Sequence, residues 1–211
     1  MSRQTLSLPS LRRSSLRKMS FEQFLRTDFG EGSRVEWVDG EVVHMAPVSN
    51  EHSDIQTFLT SLVRSFVDAH RLGEVRCEPF VMKLGKNLPG RSPDVLFVSA
   101  ANRSRLKKQA LFGPADLVIE IVSPDSRKRD REQKFSEYQQ AGVNEYWIID
   151  PGRKVAEIFS LDARQQFQQI GLDKDGTLRS RVLPGLWLRA DWLWESPLPS
   201  VVSVLRQWGI V

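Results

Sequence analysis

Residues 117–122 run LVIEIV, an apolar strand broken by a single charge at Glu120. A charged carboxylate in a buried strand costs several kcal/mol unless it is paired or binds a cation. The segment SPDVLFV at 92–98 repeats the pattern, with Asp94 opening an apolar run directly after Pro93. Either acid alone reads as a strand-end cap or as the partner of an Arg or Lys. Two of them on core strands read as a site for a hard cation such as Mg²⁺ (or Mn²⁺), which takes one or two carboxylates and keeps waters for substrate phosphates.

Alternation along the strand puts Glu120 and Val122 on one face and Ile119 and Ile121 on the other. A nuclease built on two such acids usually has a lysine two residues after the second. There it stabilises phosphate charge and positions or deprotonates the attacking water. Here that position is Val122. The next helix, expected to start at Ser126 and stop at Gly142, offers a replacement. Asp130, Lys134 and Tyr138 stack on one of its faces at i, i+4 and i+8, so Lys134 is able to lean back over the carboxylates. The same spacing also reads as a surface Asp130–Lys134 ion pair worth about 0.3–0.5 kcal/mol.

Outward from this region the chain alternates strands and helices. Ser20 with Gln23 forms a capping box ahead of Phe21, Phe24 and Leu25. RVEWVDGEVVHM (34–45) reads as a hairpin turning at Asp39-Gly40. Ile55, Phe58, Leu59, Leu62, Phe66 and Ala69 recur at three and four, predicting a helix over Ser49–Leu72 that Gly73 ends. Strands are expected at about 75–84, 93–98 and 116–122, with a basic loop or short helix over Arg103–Ala110. EYWIID (145–150) and two strands at about 154–161 and 165–172 follow, then a DKDG turn and a helix within Trp192–Val211. This order predicts an α/β (or α+β) protein with a central mixed sheet flanked by helices.

The chain carries 30 Lys plus Arg against 26 Asp plus Glu, a net +4. Five of the basic residues, and no acid, fall in residues 1–20, leaving 25 basic against 26 acidic in the remainder. Net charge therefore does not support a DNA-coating protein. The Ser/Arg-rich leader, 1–19, resembles a transit peptide; it also reads as a disordered basic tail, or as an upstream start with Met19 as initiator. The single Cys77 makes no intramolecular disulfide, which suits a reducing, cytoplasmic setting. No apolar run approaches a membrane span.

EWVDGEV, SPDVLFV, LVIEIVSPDS, the Lys134/Tyr138 helix and GVNEYWIIDP, in this order, resemble the Uma-two family of the PD-(D/E)XK restriction-endonuclease-like superfamily. The resemblance covers roughly residues 19–194. It implies a restriction-endonuclease-like domain over 20–195, commonly homodimeric; the basic leader and the Trp-rich C-terminal helical extension at 196–211 lie outside the family pattern. Pro93-Asp94 matches the PD and Glu120 the (D/E), so these acids are implied ligands of Mg²⁺. Val122 occupies the motif lysine's place, which makes Lys134 its relocated counterpart. Glu36 matches an acid that such nucleases bring near the metal from an N-terminal element, where it ligates through water or holds Lys134; it also reads as a solvated charge on a hairpin strand. The implied activity is hydrolysis of DNA phosphodiesters.

Supporting residues are less specific. His52, in the first turn of the long helix, reads as a phosphate contact or as a capping and packing residue. Tyr138 reads as a support for Lys134 or as core. Two basic clusters, Arg103/Arg105/Lys107/Lys108 and Arg127/Lys128/Arg129/Arg131, could contact the DNA backbone or face solvent. Cations at a helix start oppose its dipole, so the second cluster implies a nearby anion. The alternatives to an endonuclease are a catalytically silent nuclease fold serving as a DNA-binding or dimerisation module, and a hydrolase of another phosphate ester.

Overall fold

A computed structural model describes residues 18–124 and 126–211; the leader's residues 1–17 lie outside them. The first half contains α1 (Phe21–Arg26), β1 (Val35–Val38), β2 (Glu41–His44), α2 (Asn50–His70), β3 (Gly73–Cys77), β4 (Val81–Lys83), β5 (Gly90–Arg91) and β6 (Val95–Ser99). After a 3₁₀ turn come β7 (Ala110–Phe112), β8 (Leu117–Ile121), α3 (Phe135–Ala141) and β9 (Glu145–Asp150). The chain ends with β10 (Val155–Leu161), β11 (Phe167–Ile170), β12 (Thr177–Arg179), β13 (Trp187–Arg189) and α4 (Val201–Gln207).

The central sheet has the order β11-β10-β9-β8-β6-β3. It is mixed, because β8 and β9 run parallel while their neighbours are antiparallel. Alternating side chains divide the core. Val95, Phe97, Ile119, Ile121, Trp147 and Ile149 pack beneath α2 and α4. Leu96, Val98, Val118, Val122, Tyr146 and Ile148 share the opposite cluster with Tyr138 of α3. Glu120 alternates with the second set, so its carboxylate is directed to the side where α3 lies.

A second sheet, ordered β2-β1-β5-β4-β7, was not foreseen. The expected run 75–84 divides at Glu78-Pro79 into β3 and β4, one in each sheet. The hairpin forms as expected, with Asp39 and Gly40 at φ 52° and 86°, the doubly positive pair of a type I′ turn. Trp37 pairs with Gly90, and β5 runs straight into Ser92-Pro93-Asp94. Glu36 is thereby brought beside the loop that carries Asp94.

Other boundaries differ from expectation for local reasons. The α2 helix stops at His70 because Arg71 itself adopts the left-handed conformation (φ 54°). Gly73 serves a different need: a Cβ there would meet the Val98 carbonyl at 2.1 Å. The Lys134 helix begins at Arg127, directly after Ser126 as expected, and the Ser126 carbonyl accepts from the Asp130 amide at 2.9 Å. The Ser126 amide bonds Ser123 Oγ at 3.2 Å, and the Ser123 amide bonds Ser126 Oγ at 2.9 Å. At the C-terminus, one expected helix is a 3₁₀ turn at Ala190–Trp194 and the separate α4, with Pro197 and Pro199 between them unable to continue a helix. Val204 and Leu205 of α4 join the α2 core, and Trp208 meets Phe66 edge-on at 5.7 Å. At the other end, the Met19 amide donates to Gly40 O at 2.8 Å, so defined structure begins before Ser20. Among the described residues no helix is long and apolar enough to cross a membrane.

Candidate functional site

The helix carrying Lys134 passes through a π-turn over Arg129–Lys134 before continuing as α3. Such turns occur often at functional sites. The Lys134 ammonium is 2.8 Å from Glu120 Oε2, 3.4 Å from Asp130 Oδ1 and 3.5 Å from Glu36 Oε1. The Tyr138 hydroxyl, one turn on, donates to Glu120 Oε1 at 2.6 Å. Its ring is also fully buried in the core, so both sequence readings of Tyr138 hold together. The Asp130–Lys134 pair is buried, not a surface pair.

Asp94 precedes β6 and accepts from the Ile121 amide through Oδ2 at 2.7 Å, which ties the two acid-bearing strands together at one end. Its Oδ1 faces His52 Nε2 at 3.0 Å. His52 thus partners an implied ligand, while its own amide is capped by Ser49 Oγ. Asp94, Glu120, Lys134 and His52 line one cleft of about 1140 Å³. Its walls are the β2–α2 connection, around Met45–Ser49, and the turn after β8, around Ser123–Arg129.

Behind this group lies a bracket that the sequence did not disclose. Arg91, 1 % exposed, donates to Glu36 Oε2 at 2.7 Å and to both Glu137 oxygens at 2.8 and 2.7 Å. Glu36 is fully buried rather than a solvated hairpin charge. Burial alone would raise its carboxyl, yet Lys134 and Arg91 hold it down to about 2. Burial opposes the charge on Lys134 as well, but Glu120, Glu36 and Asp130 raise its pKa above the ordinary lysine value. Glu120 goes the other way. Burial, with Asp130 and Asp94 adding like charge, pushes it up to about 8 despite Lys134. Sequence offers one faint signal for Arg91, its place directly before Ser92-Pro93-Asp94. Arginine is mostly exposed, so its burial is not readable from residue type.

Four buried carboxylates (Glu36, Asp94, Glu120, Asp130) face two buried cations (Arg91, Lys134). Each oxygen of Asp94 and Glu120 keeps a lone pair beyond its one contact, and a divalent cation between them would favour the ionised form of Glu120, a donor set that suits Mg²⁺ or Mn²⁺. The residues fit the ion. Among the described residues no group of three His, Cys, Asp or Glu is placed to hold a metal.

The basic clusters separate. Arg103 pairs with Glu74 at 2.8 Å and Arg105 bonds the Pro114 carbonyl; with exposed Lys107 and Lys108 they follow the end of β6 remote from Asp94. In the second cluster, Arg127 holds Asp150 through two hydrogen bonds and Arg131 pairs with Glu157 and Asp150. The anion implied at this helix start is therefore Asp150, supplied by the protein. Lys128 is 85 % exposed and near Glu132. Arg129 lines the cleft.

The family described as "Uma2: Putative restriction endonuclease" matches residues 21–191. Among solved structures the chain is similar to a protein from Anabaena variabilis described as a "putative nuclease belonging to DUF820", with a TM-score of 0.66 at 20% identity. The match covers 82% of this chain and 96% of that one. No curated protein matches. The structural likeness bears out the expected restriction-endonuclease-like fold.

Proposed function

The chain belongs to the Uma2 family, and on that premise we propose that it is a divalent-metal-dependent endonuclease that hydrolyses DNA phosphodiester bonds, working as a homodimer. The supporting observation is the 2.8 Å contact between Lys134 and Glu120 in a cleft shared with Asp94. The motif's cation is thereby restored although Val122 fills its usual place. Asp94 and Glu120 would hold Mg²⁺ or Mn²⁺. When bound, the ion supplies Lewis-acid polarisation of the phosphate and acidifies water.

The chain's own groups do the rest. Lys134 orients the attacking water and offsets charge that develops on the phosphorane. Glu36, fixed by Arg91, keeps Lys134 on the cleft side of its helix. Tyr138 and the Ile121 amide orient the two metal-binding carboxylates, and His52 braces Asp94. The solvated cations Lys128, Lys107 and Lys108 add salt-dependent attraction to the phosphate backbone without reading bases. A silent DNA-binding or dimerisation module rests on Val122 alone and gives no reason to bury a lysine among three carboxylates.

Calorimetric titration with Mn²⁺, alongside conversion of supercoiled plasmid, tests the ligand assignment. Wild type binds Mn²⁺ and nicks the plasmid, and chelator stops the cleavage. Asp94→Asn weakens Mn²⁺ binding by at least about tenfold, since even indirect metal partners are worth about 10–100-fold. Unchanged Mn²⁺ affinity in Asp94→Asn would remove Asp94 from the ligand set.

A further inference from the structure

Arginines near the cleft are nearly all committed. Arg34 is tied to Glu78 and the Ala46 carbonyl, Arg91 to Glu36 and Glu137, and Arg127 and Arg131 to Asp150 and Glu157. Arg129 differs. Among the described residues its one ion pair is with Asp130 Oδ1 at 4.0 Å, which is beyond hydrogen-bond length; Glu36 feels its charge from farther off. Its Nε is buried with no hydrogen-bond partner, as is that of Arg131, whose terminal nitrogens are taken by Asp150 and Glu157; the Arg129 side chain, 16 % exposed, lines the cleft. A buried guanidinium nitrogen without a partner is costly, so this position makes sense when a second anion arrives.

The local helix explains where that anion would sit. Arg129 and Lys134 are the two ends of the π-turn. Its i→i+5 ladder draws residues five apart closer to one face than an α-helix does. Both cations consequently reach the same oxygen: Lys134 Nζ is 3.4 Å and Arg129 Nε 4.0 Å from Asp130 Oδ1. That oxygen itself accepts no hydrogen bond. Lys134 is drawn inward by Glu120 and Glu36, whereas among the described residues no carboxylate holds Arg129 in a short contact. Its five N–H groups form a planar fork that matches two oxygens of a phosphate.

We propose that Arg129 binds the non-bridging oxygens of the phosphate being cleaved, as the second cation of the site beside Lys134. It is a catalytic residue for phosphodiester substrates, distinct from the solvated cations that attract the backbone generally. The inference rests on the nuclease reading for its catalytic part; its phosphate-binding part stands on the geometry alone.

The test compares wild type, Arg129→Ala and Arg129→Lys in two arms. The first is plasmid cleavage with Mg²⁺. The second is binding of a fluorescein-labelled duplex in Ca²⁺, read by anisotropy. Arg129→Ala loses about 10²-fold in kcat, the scale for one transition-state donor, and binds the duplex less tightly. Arg129→Lys recovers part of the rate, and millimolar guanidinium ion restores cleavage to Arg129→Ala, which a merely structural role would not allow. If wild type cleaves and Arg129→Ala matches it, the proposal is overturned and the nuclease reading survives. If wild type binds the duplex but does not cleave, that reading falls instead. The phosphate site then stands if Arg129→Ala weakens binding and falls if binding is unchanged.

Discussion

Arg91→Met lowers the free energy of unfolding by about 3–5 kcal/mol, the range for removing one partner of a buried ion pair. Arg91, the last residue of β5, closes a bracket to β1 and α3, with bonds of 2.7–2.8 Å to Glu36 and Glu137. The side chain of Glu137 is 15 % exposed and can turn to water; Glu36, at 0 %, cannot. Most of the loss therefore comes from Glu36, left with Lys134 at 3.5 Å and a distant Ser92 amide at 3.4 Å. Urea unfolding at neutral pH measures the effect. Adding Glu36→Gln to Arg91→Met recovers part of it, because the second change removes the stranded charge. A loss below about 1 kcal/mol for Arg91→Met would mean that the bracket is not what ties the second sheet to α3 here.

Lys134→Met lowers kcat for plasmid cleavage by about 10²–10³-fold, as expected when a fixed donor to developing charge is removed. The loss falls on kcat more than on KM, because the 3 % exposed ammonium makes no general contact with the DNA backbone. Folding is less affected than for Arg91. Burial and its acidic neighbours push the Glu120 carboxyl up even against Lys134, and losing Lys134 pushes it further, so a protonated Glu120 leaves no stranded charge. Arg at this position is no substitute, since its fork is larger and differently directed than an ammonium. Steady-state kinetics with unfolding measured in parallel separates the two effects. Retention of wild-type kcat by a folded Lys134→Met protein would exclude Lys134 from the chemistry.

The elements of the site were readable where one stretch of chain sets them. The lone acids of 92–98 and 117–122, their faces, the Asp39-Gly40 turn and the i, i+4, i+8 stack all follow from period and spacing. Lys134 was reachable by this route because helix geometry projects it toward the strand before it. Arg91 was not, because its partners lie 55 and 46 residues away and the sheet that brings Glu36 to it is built from two-, three- and four-residue strands. Such short strands carry almost no alternation signal. The basic cluster at 127–131 looked uniform for a related reason: charge type is visible in sequence, but its cancellation by Asp150 and Glu157 depends on β9 and β10. What separates Arg129 from its neighbours is that no described residue holds it in a close contact, a property of the packed structure.

Nicking of supercoiled plasmid with Mg²⁺ or Mn²⁺, wild type against Glu120→Ala purified in the same way, tests the central claim most directly. The site described here predicts cleavage by wild type that chelator abolishes, and a loss of at least about 10²-fold in Glu120→Ala. Equal cleavage by the two proteins, or none by wild type, would contradict it.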